Sequence, residues 1–122
     1  MANVINWFEI PATDINRAVK FYKEVLGGEF RQMDMMGFKM ALFPMEGDGV
    51  GGALVEGEWY KPTQDGVVVY LNVSPDLSVP LARVEAAGGK IIMPKKQITE
   101  EIGYMALFID SEGNRVAFHS KD

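Results

Sequence analysis

The stretch Gly103-Tyr104-Met105-Ala106-Leu107-Phe108-Ile109-Asp110-Ser111-Glu112-Gly113-Asn114-Arg115-Val116-Ala117-Phe118-His119-Ser120 decides how the chain is read. Two apolar, strand-like runs flank Asp110-Ser111-Glu112-Gly113-Asn114. This is hairpin chemistry, because Gly and Asn tolerate the positive φ that a tight turn demands. The stretch has an earlier echo: Gly37-Phe38-Lys39-Met40-Ala41-Leu42-Phe43 repeats Gly103 to Phe108 with one residue inserted, and Glu46-Gly47-Asp48 stands where Glu112-Gly113-Asn114 stands later. The same stretch holds the only histidine of the chain, His119.

Working outward, the two halves show the same order of elements. Val4 to Ile10 alternates and is rich in Trp, Phe and Ile, the signature of a strand. Pro11 closes it. Thr13 or Asp14 is placed to cap a helix running to Leu26, with Ala18, Phe21, Tyr22 and Val25 on one face, and Gly27-Gly28 stops it. Glu29–Asp34, Gly37–Pro44 and Gly49–Val55 read as strands, followed by a polar connector from Glu56 to Asp65. The second half begins with a strand from Gly66 to Val73. A helix from Asp76 or Ser78 to Ala87 accepts Pro80 in its first turn. Gly88-Gly89 ends it, Lys90–Pro94 is a strand, Lys95–Glu101 a charged loop, and the terminal hairpin closes the set. The order is βαβββ twice, and such a repeat fixes the architecture. The expectation is a single domain over residues 1–122, with module one at 1–57 and module two at 64–122.

Composition narrows the function classes. The chain has 122 residues and is 48% apolar, enough for one core. A formal net charge of −5 argues against a nucleic-acid surface, which needs clustered Lys and Arg. There is no cysteine, so disulfides, thiolate catalysis and Cys-ligated metals are out. No apolar run approaches the roughly 20 residues that a membrane helix requires. The start of the sequence has no charged segment leading into an apolar one, and a soluble, cytoplasmic protein is expected.

The opening Phe8-Glu9-Ile10-Pro11-Ala12-Thr13-Asp14, followed by Ala18, Phe21-Tyr22 and Leu26-Gly27, resembles the start of the vicinal oxygen chelate superfamily. Ala86-Ala87-Gly88-Gly89 and the Asp110, Gly113-Asn114 turn resemble its closing motif. That superfamily includes glyoxalase I, the bleomycin-resistance proteins and extradiol ring-cleaving dioxygenases. The resemblance covers essentially the whole chain. It implies an α+β fold in which two tandem βαβββ modules form a curled, half-open mixed sheet around a cavity, with helices on the outer face. It also implies divalent-metal ligands, His and Glu, on the first and last strand of each module in the metalloenzymes. Carried onto this sequence, those positions fall near Trp7 and Val68, near Gly51 to Ala53, and at Ala117, none of which offers a ligating side chain. One histidine is also few for sites that lean on imidazoles. The resemblance therefore implies the fold without the metal.

Strand parity selects the side chains expected on the concave face. They are Trp7 and Glu9, Tyr70 and Asn72, and Arg115, Ala117 and His119. The opposite rows (Phe8 and Ile10, Val69 and Leu71, Val116 and Phe118) are large and apolar, as a helix-covered face should be. Glu9 is the most informative, because a carboxylate amid aromatics is costly unless paired or wet. It reads as a base or as an anchor for a ligand donor or cation, against the plainer reading of a salt bridge to Arg115 or a lysine. His119 reads as a base or single metal ligand, against an exposed, frayed strand end. The methionines suit an adaptable pocket or a plain core. Trp59-Tyr60 beside Pro62 suggests a lid or an interface contact.

The leading expectation is a small-molecule binding protein without the family metal site and with no cofactor. Its ligand would be aromatic or cationic, held by Trp7, Glu9, Tyr70, Asn72, Arg115 and His119, in a homodimer that binds neither nucleic acid nor membrane. The alternative is a lyase, isomerase or dioxygenase-like enzyme with Glu9 as base and a divalent metal on non-family ligands such as Glu9 and His119. Whether the chain catalyses anything stays open at this point.

Overall fold

The structure is a computed structural model and describes residues 3–122. Its element order is β1 (Trp7–Pro11), α1 (Ile15–Leu26), β2 (Arg31–Met35), β3 (Phe38–Leu42) and β4 (Gly51–Glu56), then β5 (Tyr70–Asn72), α2 (Ser78–Leu81), β6 (Lys90–Thr99), β7 (Gly103–Ile109) and β8 (Arg115–Ser120). This is βαβββ repeated. Each repeat forms a four-stranded mixed sheet of matching topology, β1-β4-β3-β2 and β5-β8-β7-β6. The first strand lies at an edge and runs parallel to the last, while the remaining pairs are antiparallel. No closed barrel forms. The curled, half-open sheet is realised as two sheets whose edge strands β1 and β5 face a common groove.

Helix α1 starts where sequence chemistry puts it. Asp14 is the N-cap, and its carboxylate accepts from the backbone N–H of Asn16 and Arg17 at 3.1 and 3.2 Å. Gly27 ends the helix at φ 78°, a conformation glycine adopts without a Cβ penalty, and its N–H bonds the Lys23 carbonyl at 2.8 Å. The buried face is Ile15, Ala18, Phe21, Tyr22 and Val25. It packs on Ile10, Ala41 and Leu54 of the first sheet and reaches the second module, where the rings of Phe21 and Phe108 lie 6.1 Å apart. One core therefore serves both repeats.

Four elements differ from the sequence expectation, the first being β1, which begins at Trp7 instead of Val4 and takes in Pro11. The segment Lys95–Glu101 is not a loop, because β6 continues through it to Thr99. Register shifts on both sides of Met93 absorb Pro94, and the lysines sit on an edge strand, where charge is tolerated and discourages pairing with other chains. Regular α-helix in the second module covers only Ser78–Leu81. Beyond it the chain continues in turns with several i→i+3 bonds, Arg83 N–H to the Pro80 carbonyl and Gly88 N–H to Glu85 among them, which keeps Leu77, Leu81 and Val84 buried on one side. The fifth strand is regular only over Tyr70–Asn72, and Val67 is almost fully exposed. The glycine run 47–52 has a packing cause. A Cβ on Gly52 would run into the ring of Phe8, so the last two glycines let β1 aromatics cross β4 closely.

The hairpin turn 110–114 joins the modules. Glu112, whose side chain is inaccessible to solvent, accepts from the backbone N–H of Thr13 and Asp14 at 2.9 and 2.8 Å and from the Arg17 guanidinium at 2.7 and 3.0 Å. Glu56 accepts from Ile15 N–H at 2.8 Å. Asp110 accepts from the Tyr22 hydroxyl at 2.7 Å, from the backbone N–H of Glu112 and Asn114, and from the Asn114 side chain. Asn114 also donates to the Pro11 carbonyl at 2.7 Å. Burial pushes the Glu112 carboxyl up, but Arg17 and the backbone donors outweigh it and hold the group below its ordinary value. Burial wins for Asp110, whose carboxyl lies above its ordinary value.

Glu112→Gln is expected to cost about 1–3 kcal/mol at neutral pH, because it removes charge-assisted bonds while one partner, Arg17, stays half exposed. A folded-state pKa below the unfolded one gives stability that is present above the unfolded value, ~4.3, and lost as pH falls through the folded value. The gap between wild type and variant should therefore close in acid, as read by urea unfolding at a series of pH values. Asp110 is present in both proteins, so its opposite shift cancels in the difference.

Candidate functional site

The rows of β1 and β5 sort as alternation requires, whereas on β8 the row expected on the concave face is covered, with Ala117 fully buried and Arg115 and His119 half-buried. Ile10, Leu71, Val116 and Phe118 are buried against the helix side, while Trp7, Glu9, Tyr70 and Asn72 are exposed. The exposed row borders a groove of about 1010 Å³ between the two edge strands. Its walls include Trp7 and Glu9 from β1, Tyr70 and Asn72 from β5, Arg115 from β8, and the segments Asn3–Ile5 and Gly66–Val69. Five of the six sequence-selected residues thus meet at one groove.

His119 does not line that groove. It sits on β8 opposite Met105 and Asn72, its carbonyl accepts from Val73 N–H at 2.9 Å, and its Nε2 lies 2.7 Å from the Ile102 carbonyl. A carbonyl only accepts, so Nε2 carries the proton. The residue is half-buried and tied at both ends, unlike a frayed terminus.

Glu9 makes neither of the salt bridges considered from sequence. Arg115 instead donates to the Gly66 carbonyl at 3.0 Å, and among the described residues no ion pair includes Glu9. Two neutral donors hold its carboxylate. The Tyr60 hydroxyl donates to Oε1 at 2.7 Å and the Trp7 indole N–H to Oε2 at 3.3 Å. Bonding to Glu9 raises the Tyr60 phenol above its ordinary value, so it remains a donor across the physiological range. Tyr70 makes one long contact, its hydroxyl 3.9 Å from the Met105 sulfur. Asn72 spends its carbonyl on the backbone of Ser74 at 3.1 Å and has its amide left.

Tyr60 is the partner that sequence reasoning did not place. It lies in the connector, where a Gly57–Tyr60 bridge tightens the chain after β4, and its ring meets Phe38 edge-on at 5.5 Å between centroids. A Cβ on Gly57 would occupy the space of the Phe38 ring, so glycine there lets the connector close onto β3. The available signal was the unusual Trp59-Tyr60 pair in a polar segment. Trp59 itself projects into solvent, 79% exposed.

The positions to which the resemblance carries metal ligands are Trp7 and Gly51 to Ala53 in the first module, where β1 and β4 pair Trp7 with Gly51, and Val68 and Ala117 in the second. Indole, alkyl and hydrogen side chains are not ligands, and the carboxylate of the neighbouring Glu9, opposite Ala53, is the one ligating group beside them. No group of three or more His, Cys, Asp or Glu placed to hold a metal occurs among the described residues. The donor set does not fit the metal of the metalloenzymes.

Comparison with known proteins adds the relationship. The family model described as Glyoxalase/Bleomycin resistance protein/Dioxygenase superfamily matches residues 4–118. A glyoxylase-like domain-containing protein of Didymella fabae is 31% identical over 113 residues, covering 90% of this chain and 88% of that protein. Among solved structures, a glyoxylase/bleomycin resistance protein/dioxygenase domain from Frankia sp. EAN1pec superposes with a TM-score of 0.74 at 18% identity, covering 98% of both chains. A glyoxalase I variant from Zea mays superposes with a TM-score of 0.70 at 19% identity, covering 94% of this chain. This chain spans about half the length of the maize enzyme, 46% of it. At such identities the structural likeness carries the fold alone.

Because Glu9 is what raises the Tyr60 phenol, Glu9→Gln should return one tyrosine toward the ordinary value of ~10. A near-ultraviolet pH titration of both proteins, with Tyr60→Phe to assign the shifted group, checks this. An identical titration of wild type and Glu9→Gln would show that the pair is not formed in solution.

Proposed function

The chain belongs to the glyoxalase/bleomycin resistance protein/dioxygenase superfamily, and on that premise we propose that it is a metal-independent small-molecule binding protein whose ligand site is the groove between β1 and β5. One observation carries the reading. The groove of about 1010 Å³ is bordered by two exposed aromatic side chains, Trp7 from β1 and Tyr70 from β5, beside a mainly aliphatic wall that includes Val50, Val67 and Val69, so it suits a flat apolar body. Trp7 and Tyr70 present about half of their surface to it, 44% and 50% exposed. Such aromatic area, with few placed polar groups, is what small-molecule sites are made of.

The enzymatic reading has one observation in its favour, the Tyr60–Glu9 contact at 2.7 Å, which could serve as an acid–base pair. The version that needs a metal on Glu9 and His119 is disfavoured by geometry, since only Glu9 borders the groove. We also propose a homodimer. Val4, Ile5 and Val67, at 93%, 59% and 92% exposure, surround the groove and are the apolar surface a second copy would cover.

Metal analysis after growth with added Zn, Ni, Mn and Fe, read together with thermal shift, tests the proposal. No stoichiometric metal and no shift are expected. About one metal per chain with a clear stabilisation would overturn it. Sedimentation should give a mass twice the 13.5 kDa of one chain.

A further inference from the structure

At the Glu9 edge of the groove, we propose that Glu9, oriented by the Trp7 indole and by the Tyr60 hydroxyl from the connector, is a subsite for a protonated amine, so that the ligand is an aromatic molecule carrying an ammonium group. The inference rests on the groove being the ligand site and adds the chemistry that selects the ligand.

Glu9 is exposed at the edge of the groove, where its carboxylate can meet a cation from solvent. It has no cationic partner among the described ion pairs, although Arg115 borders the same groove and Lys39 lies on β3, two strands away in the same sheet. Lys39 pairs with Glu56, 3.9 Å away, and Arg115 donates through Nη2 to the Gly66 carbonyl while its buried Nε is without a partner among the described residues, so neither cation pairs with Glu9. The two groups that do bind Glu9 are neutral. They fix the carboxylate in orientation and leave its charge uncompensated. Each oxygen has used one of its acceptor positions, on Tyr60 at 2.7 Å and on Trp7 at 3.3 Å, and each retains another.

An ammonium supplies what is missing: a positive charge and several N–H donors. Its approach passes aromatic surface, because Trp7 is half exposed at the carboxylate, and a ring face attracts a cation. A carboxylate flanked by aromatic rings also discriminates. A neutral ligand gains only the stacking, and an anion meets repulsion at Glu9. Tyr60 is the specificity-determining residue here, since its hydroxyl holds Glu9 in place from a connector braced on Phe38.

The test uses three probes of one shape, naphthylmethylamine, naphthylmethanol and naphthylacetate, titrated calorimetrically into the 122-residue chain. The amine should bind about tenfold more tightly than the alcohol, the scale of one charge-assisted hydrogen bond. That advantage should shrink with added salt. Glu9→Gln should bring the amine-to-alcohol ratio to about one, and Glu9→Asp, which keeps the charge on a shorter arm, should retain part of it. Equal affinity for amine and alcohol in the wild type, or preference for the carboxylate, overturns the amine subsite and leaves the groove reading standing. Failure of all three probes to bind overturns both.

Discussion

The carboxylates of the last hairpin turn hold the molecule together. Glu112 closes the start of α1, and Asp110 receives the Tyr22 hydroxyl from the same helix. Backbone N–H groups at a helix start have no internal partner, and here a residue nearly a hundred positions later in the chain satisfies that of the N-cap Asp14 together with that of Thr13 just before it. The arrangement couples a local requirement, capping, to a long-range one, docking the two repeats. Asn114 completes it by bonding the Pro11 carbonyl and accepting from Thr63 N–H, so β1, the helix start and the connector all meet one turn. The rings of Phe21 and Phe108 then pack beneath a polar clamp whose groups are largely satisfied.

With the helix face committed in this way, alternation dictates the rest. Every second residue of β1 and β5 faces away from the core and stays exposed, while on β8 the matching row is partly covered. These rows can therefore carry residues that a core would reject: an uncompensated carboxylate at Glu9, an amide at Asn72 and a guanidinium at Arg115. The groove chemistry follows from what neighbours these groups. Glu9 is held by neutral donors, and Arg115 by a carbonyl, so the two opposite charges of the groove do not cancel each other.

Much of this was legible in the chain. The echo of Gly103–Phe108 in Gly37–Phe43 shows the duplication, and the period of the apolar residues shows which row is buried. Where the reading stopped short, a competing interaction decided. Lys95 and Lys96 look like loop residues, yet β7 supplies a partner for the backbone, and Lys95 finds Asp76 at 2.9 Å and the ring of Tyr104 at 4.6 Å. The second helix looks uniform to Ala87, but after Leu81 i→i+3 bonds replace the regular ladder. His119 draws notice because it is alone, although its imidazole serves the β6–β7 turn.

The sequence by itself determined the architecture, the capping of α1 by Asp14, and the set of side chains that leave the core, because periodicity and turn chemistry are local properties of neighbouring residues. Tertiary structure alone decided what Glu9 meets. Arg115 and the lysines were all available by composition, and strand direction, the bend of the connector and the space left at Gly57 brought Tyr60 there instead. A hydrogen bond forms between groups that the fold brings within about 3 Å of each other, and that proximity is not written in either residue.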